Sequence, residues 1–410
     1  MQAHIKRVEA AMDALKKGKM VILTDHHDRE NEGDLIFAAE FATAENVNFM
    51  LRHGSGVVCL ALPRQHLQKL NLPLMVPLNE SRQGTGFTIS IEARSGITTG
   101  VSAVDRAHTI LTAISETSVA EDLVRPGHVF PLQAQDHGVL ERAGHTEGSI
   151  DLVRMAGLTP AAVLCEVMNS DGTMTHGEQL EVFSQDHDIM RLSIEDVIVY
   201  RYAHENLIAT EASATLPLES FGEFKITAIE EKITGKEHIV LTKPSKNAKD
   251  ATLVRIHSSC VTGDLFASQR CDCRQQLLYS LEEISKVGGV LIYLSQEGRG
   301  IGILNKIKAY SLQEKGMDTI EANECLGFQA DGRHYYIAAN VLKNLNITQV
   351  KLLTNNPAKL AYLKLCGIDQ VEQIPLPAFC NPQNQHYLQT KIQKMNHTFA
   401  NDFLHQINGV

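Results

Sequence analysis

No stretch of roughly eighteen uninterrupted apolar residues occurs in this chain, the length a membrane-spanning helix needs, so no membrane partner is expected. Its first residues form an amphipathic, Lys-rich segment and not the apolar block of a secretory signal. The eight cysteines show no disulfide-like spacing, which fits a reducing, cytoplasmic setting. A basic stripe is missing too. Residues 1–205 hold 28 acidic against 17 Lys or Arg side chains, and residues 206–410 hold 20 against 21. Those balances, −11 and +1, argue against nucleic acid as a partner. An acidic cluster that binds a divalent cation explains the excess of the first half more simply. No internal repeat and no low-complexity tract occurs. What is there, 410 residues of which 43% are apolar, suffices for two domains with cores of ordinary size.

Ile5, Val8, Met12 and Leu15 recur at helical spacing up to Gly18. Residues 21–23 then read as a buried strand, Thr43 opens a helix that runs to Gly54, and residues 57–62 read as another strand. Strands and helices mix without a strict βαβ repeat. The expected class is therefore α+β: two α+β domains in tandem, each with a mixed sheet and packed helices. The pattern lapses over 203–216, where small and polar residues collect, and this places the boundary between domains 1–205 and 206–410. Beyond it, 224–229, 238–242, 290–294 and 350–354 predict strands and 304–315 a helix. Asn355-Asn356-Pro357 starts another helix, which Gly367 stops.

Three cysteines carry the sharpest chemical signal. Cys260, Cys271 and Cys273 lie in Ser258-Ser259-Cys260-Val261-Thr262-Gly263-Asp264 and Arg270-Cys271-Asp272-Cys273, with no fourth cysteine nearby. A structural zinc usually closes its tetrahedron with four protein ligands. A catalytic zinc keeps one position for water and lowers that water's pKa to about 7. The count points to a hydrolytic site. His257, three residues before Cys260, leaves a structural site open as the rival. Scattered core thiols fit poorly with the polar turn residues Thr262-Gly263-Asp264. Downstream, Arg299 and Lys359 are natural phosphate partners, and Lys359 falls in the first turn of a helix whose amides attract anions.

The first half carries a different constellation. Asp28-Arg29-Glu30-Asn31-Glu32-Gly33-Asp34 leaves the end of the first strand, a place where binding groups collect. Carboxylates beside an arginine suit a hard cation and a phosphorylated polyol. Arg142-Ala143-Gly144-His145-Thr146-Glu147, Arg125-Pro126-Gly127-His128 and Leu164-Cys165-Glu166 are further polar blocks. Together with His53-Gly54-Ser55-Gly56-Val57-Val58-Cys59, Gly84-Thr85-Gly86-Phe87-Thr88 and Thr99-Gly100-Val101-Ser102-Ala103-Val104-Asp105-Arg106, they make residues 5–203 resemble 3,4-dihydroxy-2-butanone 4-phosphate synthase of riboflavin biosynthesis. The resemblance implies loss of the fourth carbon of ribulose 5-phosphate as formate. It implies Mg²⁺ (or Mn²⁺) on Glu30 and His145. Arg29, Asp34, and Arg142, Ala143, Gly144 and Thr146 would contact the sugar phosphate, with His128 and Glu166 as the proton-transfer pair. Two departures stand out: His26-His27 where the family usually has acids, and Gln83 where it usually has an aromatic residue.

Residues 214–397 resemble GTP cyclohydrolase II, through the cysteines, Gln296-Glu297-Gly298-Arg299, Asp331-Gly332-Arg333 and Thr354-Asn355-Asn356-Pro357-Ala358-Lys359. The resemblance implies Zn²⁺ on Cys260, Cys271 and Cys273, with release of formate and pyrophosphate from GTP. Arg255, Ile256, His257, Ser258, Ser259, Gln276, Glu297, Gly298, Arg299, Thr319, Thr354 and Lys359 would line the GTP site. Asp331 would accept the proton, Arg333 would attack the α-phosphate, and Tyr310 falls on an active-site position. The H-x-E with P-C-x-x-C pattern of base deaminases is absent. Here Ser259 stands where the family has glutamate and Arg274 where it has glycine, which makes the site less negative. Both families imply a homodimer. A catalytically impaired, regulatory second domain is the rival reading, and a non-enzymatic guanine-nucleotide-binding module is a third.

Overall fold

The structure is a computed structural model that describes residues 2–245, 250–328, 331–395 and 398. The chain divides into two compact units, Met1–Arg201 and Tyr202–Val410. Each is a mixed sheet with packed helices, so both are α+β domains.

The first unit contains β1 (Val21–Thr24), β2 (Gly33–Ala38), β3 (Cys59–Pro63), β4 (Gly86–Phe87), β5 (Ile91–Ala93), β6 (Leu123–Ala134), β7 (Ala162–Glu166) and β8 (Arg191–Ser193). Their order is β4-β6-β3-β7-β2-β1-β8, with β5 on β6. The β1–β8 and β3–β6 pairs are parallel, and the other pairs are antiparallel. Period-two alternation assigns side chains to two cores. Ile22, Leu35, Phe37, Leu60 and Val163 pack on one face with Val47 and with Ile110 of the helix Ala103–Ile114. Leu23, Ile36, Ala38, Ala61 and Leu164 pack on the other with Val8 and Leu15 of the helix Gln2–Lys16. Both faces are covered, which is why β2 after Asp34 reads as an unbroken apolar run.

Thr43 caps the helix Ala44–Phe49, its hydroxyl accepting from the Asn46 amide at 3.2 Å, and a wider turn, Met50–Gly54, follows. The strand expected from Val57 begins only at Cys59, because the Val57 amide donates to the Glu166 carboxylate at 2.8 Å. The block 99–106 is an N-terminal cap: Ser102 accepts from the Asp105 amide, and Asp105 accepts from Thr98 and from the Gly100 amide.

The second unit contains β9 (Ile208–Leu218), β10 (Gly222–Glu231), β11 (Glu237–Lys243), β12 (Thr252–Ser258), β13 (Gly289–Leu294), β14 (Gln349–Leu353) and β15 (Gln370–Ile374), in the order β15-β14-β12-β13-β11-β10-β9. Strands β15, β14, β12 and β13 run parallel, and β11, β10 and β9 continue as an antiparallel meander. The stretch in which the apolar pattern lapses is largely β9. It pairs along its length with β10 while most of its side chains face solvent, so no core selects apolar residues there. In the parallel half, the polar motifs follow the carboxyl ends of β12, β13 and β14, the crevice where such sheets bind ligands.

Strand β6 carries His128 beside a tight crossing. A Cβ on Gly127 would lie 2.1 Å from the Ile91 backbone of β5. Gly127→Ala should therefore force β5 and β6 apart, lowering stability by about 1–3 kcal/mol in urea unfolding. Formate production by the first domain should fall with it.

Candidate functional site

In the first domain the loop from β1 to β2 is built around Asp25, whose side chain is 1% exposed. One carboxylate oxygen accepts from the Glu32 amide at 2.8 Å, the other from the Glu30 amide and Arg29 Nη1, both at 2.9 Å. This turn aims Glu30 at His145, the first residue of the helix His145–Met155, with Oε2 3.4 Å from Nδ1. Asp34 Oδ2 is 3.9 Å from the same nitrogen. The β2–β7 register sets Asp34 opposite Glu166. Glu166 approaches so closely that a Cβ on Gly56 would meet its carboxylate at 2.4 Å.

The electrostatics suit a cation. The His145 hydrogen bond holds the Glu30 carboxyl down to about 2, against the effect of burial. Burial, aided by the Glu166 and Glu30 carboxylates, pushes Asp34 up to about 7. Burial alone would lower His145, but Asp34 and Glu30 outweigh it and raise the imidazole to about 9. Ligand atoms of Asp25, Glu30 and His145 lie within 4.8 Å of one another. Asp34 Oδ1 and His145 Nε2 are buried without a protein partner. Such orphaned atoms beside a carboxylate–imidazole pair fit a hard cation with an oxygen-rich ligand.

Arg142 is held rather than free. Its guanidinium donates to Glu147 at 2.6 Å, to the Thr85 hydroxyl at 2.9 Å and to the Gln83 carbonyl at 3.0 and 3.2 Å. The contact at position 83 uses the backbone, so the aromatic side chain usual there is not needed for it. Ala143, Gly144 and Thr146 stand at the amino end of the His145 helix, an end that favours an anion, with the Gly144 amide donating to the Arg142 carbonyl at 2.8 Å. His128 pairs with Glu92, and β3 lies between the strands carrying His128 and Glu166. His26 and His27 are exposed, with His27 Nε2 3.0 Å from Asp28.

In the second domain Cys260, Cys271 and Cys273 converge. Their Sγ atoms lie within 4.8 Å of one another, and Cys260 and Cys271 are 3.7 Å apart. A tetrahedron with arms of about 2.3 Å has edges of about 3.8 Å, so this spacing fits one thiolate-bound zinc. Hydrogen bonds from Cys271 and Cys273, and the Lys306 ammonium 3.1 Å away, favour a thiolate at Cys260. His257 does not complete the set. Its Nε2 faces Asp264 at 3.1 Å and its Nδ1 faces Arg255 at 3.3 Å. Asp264 also accepts from the Cys260 amide and the Tyr293 hydroxyl, both at 2.9 Å.

The thiolates open on a cavity of about 390 Å³, lined also by Ser258, Ser259, Glu297, Gly298, Arg299, Thr319, Tyr310 and Arg333. Arg299 adopts a left-handed φ of 63°, a strained conformation for a residue with a side chain and common at binding loops. Arg333 is forked onto Asp331, with Nε 2.7 Å from Oδ1. Arg255, Ile256, His257, Gln276, Thr354 and Lys359 lie behind the wall: Lys359 Nζ donates to the Ile256 carbonyl at 2.7 Å, and Arg255 donates to Gln276 at 2.8 Å. Arg274 donates to the Asp264 carbonyl at 2.7 Å and stays off the cavity, so it clips the cysteine loop instead of filling the site.

The sequence reading singled out Lys306, which reaches Cys260 at 3.1 Å, but missed Asp25, Glu92 and Glu147 in the first domain and Asp264 and Asp272 in the second. All but Glu92 sit inside or beside a quoted motif. Their signal was proximity alone, because what they do depends on partners brought in by folding.

A carboxylate–imidazole cluster in one domain and three cysteines at a cavity in the other are two groups that could each hold a metal ion, as in a two-domain metalloenzyme. Residues 9–200 match the family model of 3,4-dihydroxy-2-butanone 4-phosphate synthase, and residues 209–375 match that of GTP cyclohydrolase II. The riboflavin biosynthesis protein RibBA of Aquifex aeolicus is 51% identical over 396 residues, 96% of this chain and 97% of its own length. That of Bacillus cereus is 48% identical over 392 residues, 95% and 98% of the two chains. A two-domain 3,4-dihydroxy-2-butanone 4-phosphate synthase from A. baumannii, described as RibBX, shares 34% identity and a TM-score of 0.69 over 91% of this chain and 100% of that one. The chain belongs to the RibBA family of bifunctional riboflavin biosynthesis enzymes, a lyase and a hydrolase in tandem.

Metal content tests the thiolate set. Cys271→Ser should cost roughly one zinc per chain after dialysis, measured by elemental analysis. His257→Ala should keep its zinc, and loss of metal there would revive the four-ligand site.

Proposed function

We propose that residues 1–205 convert ribulose 5-phosphate to 3,4-dihydroxy-2-butanone 4-phosphate and formate, with Mg²⁺ or Mn²⁺ held by Glu30 and His145. When bound, the cation supplies charge stabilisation at the sugar's carbonyl and hydroxyl oxygens. Arg29 and Asp34 orient the sugar, and Arg142 with Ala143, Gly144 and Thr146 takes the phosphate. Glu166 and His128 move protons during enolisation and the carbon shift. Burial of Asp34 and His145 excludes bulk water from the cation's surroundings.

Residues 206–410 open the guanine imidazole ring of GTP, releasing formate and pyrophosphate and leaving a diamino-pyrimidinone ribosyl phosphate. Zinc on Cys260, Cys271 and Cys273 would, when bound, lower the pKa of the water consumed at the ring carbon. Arg333 attacks the α-phosphate, and Asp331, already on the guanidinium, stands ready to accept its proton. Glu297, Gly298, Arg299, Thr319, Ser258, Ser259 and Tyr310 surround the nucleotide. Arg255, Ile256, His257, Gln276, Thr354 and Lys359 support that wall from behind. The protein works in the cytoplasm as a homodimer, with neither nucleic acid nor membrane as partner.

The observation that carries this reading is the meeting, at one cavity, of three thiolates with Arg299 and Arg333 in a domain separate from the Glu30–His145 cluster. Glu30→Gln should cut formate release from ribulose 5-phosphate by about 100-fold or more, the scale of losing a charge-stabilising group. Formate release from GTP should be unchanged. Equal loss of both activities in a folded variant would sink the two-site assignment.

A further inference from the structure

The helix Gln385–Met395 lies beyond residue 375, where the match to the cyclohydrolase family ends. It still forms part of the nucleotide cavity's wall, through His386 and Tyr387. Its Lys391 is buried, with Nζ 3.1 Å from Asp272 Oδ1 and 4.2 Å from the centre of the Tyr387 ring. Asp272 is the residue between Cys271 and Cys273, and none of it is exposed. Its other oxygen accepts from Gln276 Nε2 at 2.6 Å, and Gln276 in turn accepts from Arg255 at 2.8 Å. A second tie joins Lys394 to Asp318, the cap of the helix that begins at Thr319.

The charges explain why a lysine is needed there. Asp272 is a fully buried carboxylate held between two of the three clustered cysteines. A fully buried carboxylate is costly unless donors meet it. Gln276 meets one oxygen with a neutral amide, and Lys391 supplies the cation for the other. Burying a lysine also costs its rotamer freedom, a cost with no local return on a solvated helix. Fixing Asp272 fixes the backbone on which Cys271 and Cys273 stand.

We propose that Lys391 is a positioning residue for the three-thiolate site. It holds Asp272, and so the Cys271-Asp272-Cys273 turn, in the geometry that grips the metal, which makes the helix Gln385–Met395 a working part of the hydrolase centre. The proposal rests on the reading of these cysteines as zinc ligands.

The test is zinc affinity of the full chain, by competition with a chromophoric chelator, alongside formate release from each substrate. Lys391→Met should weaken zinc binding about 10–100-fold, the usual effect of losing a group that orients a ligand. GTP turnover should fall, and release of formate from ribulose 5-phosphate should not change. Lys391→Met leaves Asp272 buried and unpaired, so the charge-free pair Asp272→Asn with Lys391→Met guards against unfolding. That double variant should fold and still bind zinc more weakly. Zinc affinity within twofold of wild type in either folded variant, with only a lower melting temperature, would overturn the proposal and leave the helix a cover. Cys271→Ser separates the two readings. Zinc retained there overturns the thiolate assignment and the proposal with it. Zinc lost there but kept in the Lys391 variants overturns the proposal alone.

Discussion

A carboxylate taken out of water must be met by donors, and this constraint shapes both centres. Asp25 is met by two backbone amides and Arg29, and the loop that results delivers Glu30 to His145. Asp264 is met by the Cys260 amide, Tyr293 and His257, and the turn that results delivers Cys260 to the other two cysteines. Asp272 is met by Gln276 and Lys391. None of these three aspartates is among the proposed metal ligands. Their hydrogen bonds fix the polar loops that carry the ligand atoms.

The same constraint accounts for the two orphaned atoms of the first centre. Asp34 and His145 are buried beside Glu30 and Glu166, and one polar atom of each faces no protein group. A core would not keep that arrangement for stability, since apolar residues of similar size would serve better. It suits a pocket whose missing partners are an ion and a polyhydroxy ligand. The second centre is poised differently. Lys306 and Arg299 bring positive charge to the thiolates, and Arg333 stays on Asp331 at the cavity's edge. One domain gathers negative charge for a hard cation. The other balances soft thiolates with cations that suit a polyphosphate.

The departures from the family patterns separate by position. Arg274 points away from the cavity and clips the Asp264 carbonyl, so a long side chain is accommodated in place of glycine. At Gln83 the backbone carbonyl makes the contact to Arg142. Ser259 does line the cavity and leaves it with one carboxylate fewer than the family pattern. His26 and His27 stand in solvent, with His26 accepting from the Asp28 and Arg29 amides at the start of the Asp25 loop.

Much was legible in the sequence. The tandem α+β organisation follows from the mixed order of strand and helix signals. Thr43 and Asn356 read correctly as helix starts, because a cap is a local bond between neighbours in the chain. The cysteine trio and the Glu30 loop were visible because their spacing is itself the chemical signal. Other features needed the folded chain. Strand β9 could not be seen, because an edge strand held by main-chain pairing imposes no side-chain pattern. The separation of His128 from Glu166 depends on strand order, to which residue spacing is blind. That Arg255, Gln276 and Lys359 stand behind the cavity, and that Lys391 reaches Asp272 across 119 positions of sequence, came only from packing. Residue type and local spacing determined which chemistry this chain could hold. Long-range contacts, each set by the need to satisfy a buried charge, decided which side chains hold it in place.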